Sequence, residues 1–103
     1  MSPLQRSKKY LAEQGYLVAI VEKWNQWAKV RQDLFGFLDL LCVHKDLGVT
    51  LGVQTTTLAH MKERITKIKD HDNYPILKKT GWKISVHGWR KLKSGWEVKI
   101  KEL

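Results

Sequence analysis

The stretch from Arg31 to Thr56, RQDLFGFLDLLCVHKDLGVTLGVQTT, most constrains what this chain can become. It holds two apolar runs, FGFLDLLCV and VTLGVQTT, joined by HKDLG. Short apolar runs bounded by turn residues read as buried strands. Each run nevertheless carries polar groups where a buried strand normally has none: Asp39 in the first, Gln54 and Thr56 in the second. An isolated carboxylate in such a place costs roughly several kcal/mol unless something pairs with it. A divalent cation is one such partner. A turn or Arg31 is another, in which case Gln54 and Thr56 are a polar strand end that caps the next helix.

Side chains alternate faces along a strand. Phe35, Phe37, Asp39 and Leu41 then share one face of the first strand. Gln54 and Thr56 share a face of the second, and Val53 and Thr55 take the other. A register that sets Asp39 beside Gln54 brings two oxygen ligands together, and the backbone carbonyl of Thr55 adds a third. Magnesium takes few protein ligands and keeps several waters, so a sparse oxygen site of this kind suits it. The metal reading requires those two side chains to converge.

The rest of the chain frames these strands. Ser2, Pro3 and Gln5 start a helix that stops at Gly15. Tyr16 to Trp24 (YLVAIVEKW) is the first strand, and Asn25 to Gln32 is a polar connection anchored by Trp27 and Val30. The central strand runs from Phe35 to Val43, His44 to Gly48 turns, and Val49 to Thr56 is the third strand of a meander. Thr57 caps a second helix reaching Lys69, with Leu58, Met61, Ile65 and Ile68 as its apolar stripe. His60, Arg64, Lys67 and His71 lie on another stripe, either a track for phosphates or a solvated face. Asp70 to Asn73 breaks the pattern, and Tyr74 to Thr80 is a short helix before Gly81. Trp82 to Trp89 alternates, with Trp82, Ile84 and Val86 opposite Lys83, Ser85 and His87. After a turn over Lys91 to Gly95, Trp96, Val98 and Ile100 point inward from a last strand, closing a terminal hairpin. The expected class is α/β in the α+β sense, with residues 1–103 as one domain.

Composition narrows the partners. The net charge of +9 points to a polyanion, and nucleic acid is the commonest. Residues 60–103 hold 12 of the 19 lysines and arginines, which weights the basic surface toward that half. The single cysteine, Cys42, cannot form an internal disulfide and reads as core packing. His44, His60, His71 and His87 lack zinc-site spacing. No stretch is long and apolar enough to span a bilayer, no broad basic amphipathic helix suggests a membrane surface, and MSPLQRSKK lacks the apolar core of a secretory signal. An intracellular, cytoplasmic protein is the expectation. Of the five tryptophans, Trp82 and Trp96 fit the core; Trp24, Trp27 and Trp89 either pack or stack on bases.

The order helix, three-strand meander with an acid on its second strand, polar pair at x and x+2 on the third, helix and further strand resembles the PD-(D/E)xK nuclease superfamily. It is similar in particular to small phage-encoded nucleases and to the resolvase-like and VRR-type branches, and the wording RQDLFGFLDLL, GVQTTT and HGWRKL looks like a group of phage-type proteins within that superfamily. The resemblance implies a restriction-endonuclease-like αβββαβ core with a C-terminal β-hairpin. It implies Mg2+ or Mn2+ as cofactor, DNA as substrate (branched or junction DNA among the candidates), a homodimer, and the cytoplasm of a bacterial host for a phage-encoded chain. Asp39 takes the place of the metal-binding aspartate, Gln54 that of the second acid, and Thr55 supplies its carbonyl. Thr56 stands where the family has lysine, a departure that calls for another cation. The candidates are Lys29, Arg31, Lys62 and Arg64, with Asp33 and Glu22 as spare acids. The expected nucleic-acid contacts are Lys29, Arg31, His60, Arg64, Lys67, Arg90 and Lys91. The alternatives are a non-catalytic nucleic-acid-binding protein on a nuclease-like fold, supported by the missing lysine, and a small protein-interaction or inhibitor domain.

Overall fold

A computed structural model describes residues 1–103, and its framework is a five-stranded mixed sheet with one helix on one face and two on the other. Helix α1 (Pro3–Glu13) starts where the capping pattern predicts. Ser2 Oγ accepts the Gln5 N–H at 3.2 Å, and Pro3 sits in the first turn. Strand β1 (Tyr16–Ile20) follows, shorter than the run YLVAIVEKW suggests. The chain leaves the sheet after Val21, whose N–H donates to the Asp39 carbonyl at 2.9 Å. It then folds a separate two-stranded ribbon, β2 (Lys23–Asn25) and β3 (Val30–Gln32), out of the end of that run and the segment that reads as connection.

The central strand also starts later than its apolar run. Phe35 and Gly36 both have positive φ, and Leu34 pairs with Leu38 across a tight turn. Such backbone cannot continue a strand, so β4 spans only Leu40–His44. His71 fixes this turn from above: a Cβ at Gly36 would lie 2.5 Å from His71 Nε2, and Asn73 Nδ2 donates to the Phe35 carbonyl at 3.0 Å. β5 (Thr50–Thr57) returns antiparallel to β4. A 3-10 turn, α2 (Met61–Lys69) and α3 (Asn73–Lys79) then carry the chain to β6 (Lys83–Leu92), which runs parallel to β5. β7 (Gly95–Glu102) closes the hairpin, and the sheet order is β1-β4-β5-β6-β7. No helix is long and apolar enough to cross a membrane.

Two cores hold these layers. Leu11 of α1 packs with Leu40, Cys42, Leu51 and Val53 on one face. Met61, Ile68 and Leu77 of α2 and α3 pack with Phe37, Leu38, Ile84 and Val86 on the other. Burial pushes the Cys42 thiol up to about 12, in keeping with a packing residue. The outer strand departs from expectation, because no helix covers that part of the sheet. Trp96 and Ile100 are part-exposed rather than inward, and the Arg6 guanidinium lies 3.9 Å from the Trp96 ring centroid.

The face of β6 that alternation assigns to Lys83, Ser85 and His87 is buried over Ser85 and His87, beneath α1. Trp89 Nε1–H donates to Ser7 Oγ at 2.8 Å, and Ser7 Oγ lies 2.9 Å from His87 Nδ1. The Ser7 hydroxyl thus bridges the indole N–H of Trp89 and the imidazole of His87. Burial lowers its pKa to about 4. Stability from the neutral ring is present above the ordinary histidine range and is lost as pH falls from about 6.5 toward 4. Ser7→Ala would strand both partners, and the expected loss is about 1–3 kcal/mol in urea unfolding at pH 7. A change near zero would mean that the contact does not hold α1 to the sheet.

Candidate metal centre

A slip in register builds the site. Leu40 is the partner of Val53 in the β4–β5 ladder, yet the Asp39 N–H also donates to the Val53 carbonyl, at 2.9 Å. Two residues of the incoming strand thus face one residue of β5, the geometry of a β-bulge. Side-chain alternation slips by one at that point. Leu38 lies on the α2 face, where it covers Gly52, while Leu40 lies on the α1 face with Val53. Asp39 is turned with Leu40 toward the face of Val53 and Thr55. Its Oδ2 accepts the Thr55 N–H at 2.8 Å and the Thr55 hydroxyl at 3.2 Å.

The expected pairing of Asp39 with Gln54 therefore does not form. Gln54 is in register with Val86, on the α2 face, where it is buried with Oε1 accepting no hydrogen bond. Thr56 follows Gln54 onto that face and is buried as well. Neither lines the cleft that holds Asp39. Thr55 does, and its carbonyl projects to the same side of the strand as the N–H bonded to Asp39.

The two carboxylates that join Asp39 are Glu22 and Asp33, which read from the sequence only as spare acids. Each offers an oxygen, and the three oxygens lie within 4.8 Å of one another. Glu22 comes from the chain leaving β1, and Asp33 follows β3, so the ribbon carries both to the bulge. Burial pushes the Asp39 carboxyl up to about 7; the Thr55 N–H opposes this, and the charges of Asp33 and Glu22 add to the rise. Donor chemistry fits a hard divalent cation. Opposite ligands of magnesium, each about 2.1 Å from the ion, stand about 4.2 Å apart.

The cleft encloses about 690 Å³. Its other walls are the first turn of α1, from Ser2 to Gln5, and Arg64 and Lys67 of α2. Sequence reasoning missed the α1 wall; its only signal was the cap itself, which places a helix N-terminus there but not what it faces. Among the cations proposed to replace the absent lysine, Arg31 lines the cleft but pairs with Glu22 at 2.9 Å. Arg64 forms no salt bridge, and its Nε is buried without a partner. Lys62 opens onto a different surface, beside Lys69, Lys99 and Lys101.

The remaining expected contacts lie elsewhere. Lys29 is exposed at the ribbon tip with φ of 53°. Arg90 is tied to Glu97 at 2.8 Å, Lys91 is exposed on the hairpin, and His60 lies 3.7 Å from Glu63. The stripe His60–Arg64–Lys67–His71 is split: Arg64 and Lys67 face the cleft, while His71 packs on Phe37 and Gly36. Comparison with family models, curated proteins and solved structures yields no match.

The buried carboxyl has a measurable consequence. Between about pH 4 and pH 7 the folded chain keeps a proton at Asp39 that the unfolded chain releases. Stability from this group falls as pH rises through that window. In EDTA, Asp39→Asn is expected to melt close to wild type near pH 4 and about 5–10 °C higher at pH 8. Manganese is expected to raise the melting temperature of wild type at pH 8 and not that of the variant. Coincident melting curves at pH 8 in EDTA would show that the charged carboxylate is well solvated.

Proposed function

We propose that this chain is a metal-dependent endonuclease of the PD-(D/E)xK type that hydrolyses DNA phosphodiester bonds. The observation that carries this reading is the meeting of Glu22, Asp33 and Asp39 in one cleft with Arg64 and Lys67 on its wall. Carboxylates so close repel one another, and a doubly charged ion relieves that repulsion. The strand order gives further support. An antiparallel meander followed by a helical crossover to a parallel strand is what a restriction-endonuclease-like core requires.

Asp39, Asp33, the free oxygen of Glu22 and the Thr55 carbonyl would hold Mg2+ or Mn2+. Such an ion, when bound, lowers the pKa of water and neutralises phosphate charge. Thr55 orients Asp39 through two hydrogen bonds, leaving Oδ1 to face the cleft. Arg64 takes the part of the missing lysine: an unpaired guanidinium binds a phosphate and stabilises the charge that grows on it. Lys67 and the positive end of the α1 dipole extend the same field along the backbone of the strand. Cutting both strands takes two such clefts, which a two-fold homodimer supplies.

A second reading, a nucleic-acid-binding module without catalysis, is favoured by one observation: β5 sends no lysine into the cleft, and Thr56 is buried on the far face. Cleavage of plasmid and branched DNA with Mg2+, Mn2+ or EDTA separates the two. Cutting is expected with either metal and not with EDTA. Asp39→Ala should abolish it while sparing most binding, and Arg64→Ala should slow it by about 10²-fold or more, with Arg64→Lys partly restored. Salt-sensitive binding with no cutting in any metal would establish the second reading. Absence of salt-sensitive binding would leave a protein-interaction domain.

A further inference from the structure

We propose that the β2–β3 ribbon is a stacking arm for unpaired nucleotides, with Trp27 its principal contact. Trp27 is 98% exposed at the ribbon tip, where it covers nothing of its own chain. The tip is nevertheless built to hold it: Asn25 Oδ1 accepts the N–H groups of both Trp27 and Ala28, each at 3.0 Å. A turn whose backbone is fixed by two hydrogen bonds holds the indole out in water, a flat face open to a partner.

Charge identifies that partner. Between Lys23 and Gln32 the ribbon carries Lys23, Lys29 and Arg31 and no acid. A polyanion with flat faces matches an aromatic ring among cations; an acidic protein surface supplies the charge without the stacked faces, and a second copy of this basic chain does not supply the charge. Continuity sets the path. Trp24 is the cross-strand partner of Arg31, and with Lys23 and Glu22 they line a shallow groove. Glu22 and Arg31 also line the acid cleft, so groove and cleft adjoin. A strand whose phosphates pass Arg31 can lay bases on Trp24 and Trp27. Paired bases in a duplex hide their faces from such a platform, so the arm selects single strands and the unpaired arms of branched DNA. That substrate class rests on the nuclease reading for what the cleft does next, whereas the binding does not.

The test is fluorescence anisotropy in EDTA with three labelled DNAs: oligo-dT, a splayed-arm duplex and a blunt duplex. Wild type is expected to prefer the first two. Trp27→Ala should weaken both by about 10-fold or more and leave the blunt duplex within about 2-fold. Trp27→Phe should recover most of the loss. An unchanged melting temperature and manganese shift would show the variant folded with its acids in place. Equal weakening on all three DNAs, no weakening, or no DNA binding by wild type would overturn the arm. So would a dimer in sedimentation that becomes a monomer on Trp27→Ala, since the ring would then be an interface between copies. Selective loss in a protein that cleaves nothing would sink the nuclease reading alone. Normal cleavage with a neutral Trp27→Ala would sink the arm alone.

Discussion

The Thr55–Asp39 contact is the constraint on which the candidate site depends. A carboxylate at the mouth of an apolar sheet needs donors, and the Thr55 N–H and hydroxyl provide two on one oxygen. They are available because Asp39 stands one residue ahead of the regular ladder, where β5 still extends but β4 has not begun. The side chain there replaces the backbone carbonyl that a regular strand would have offered. The same bulge rotates the carboxyl out of the α2 core and toward the ribbon, where Glu22 and Asp33 wait. Without the slip, Asp39 would share the face of Gln54 and Gly52, on the side where Leu38 fills the core.

That one-residue slip also explains what was legible in the sequence and what was not. The α1 cap, the meander, the α2 stripe and the terminal hairpin follow local rules, and the structure has all four. Asp39 stands out as a polar intrusion whatever its neighbours do. Its partners do not, because period-two alternation assumes an unbroken strand, and Phe35 and Gly36 break it through left-handed backbone. A regular register sets Asp39 beside Gln54, whereas the bulged ladder presents Thr55. Glu22 and Asp33 were visible as acids. Only the ribbon, which the sequence presents as a polar loop, shows that the chain brings them together. Edge exposure was equally hidden: Trp96 and Ile100 alternate as well as any core strand, and nothing local says that no helix covers them.

The α1 face of the sheet uses buried polar groups in two opposite ways. Beneath α1, Ser7, His87 and Trp89 satisfy one another, and the histidine is held neutral. This group favours the folded chain at neutral pH and loses that effect as acid charges the ring. At the cleft, Asp39 is held with a proton up to about pH 7, and it opposes folding once that proton is gone. The two dependences run against each other between about pH 4 and pH 6.5, so the whole chain can show little net response there while each group responds strongly.

The contrast separates scaffold from site. Ser7, which ties α1 to the sheet, is bonded to both His87 and Trp89 of β6. A group kept for a ligand ends under-compensated in the free protein, because the missing partner is the ligand itself. Under the proposed function, Asp39 with its raised pKa and Arg64 with a buried, unpartnered Nε would both be of the second kind, and they line one cleft. A carboxyl and a guanidinium that line one cavity without being joined to each other leave room for something that carries both charges. A phosphodiester with its metal counterion is such an object. The carboxylates would take the ion and the guanidinium the phosphate, and the free energy withheld from folding would return on binding.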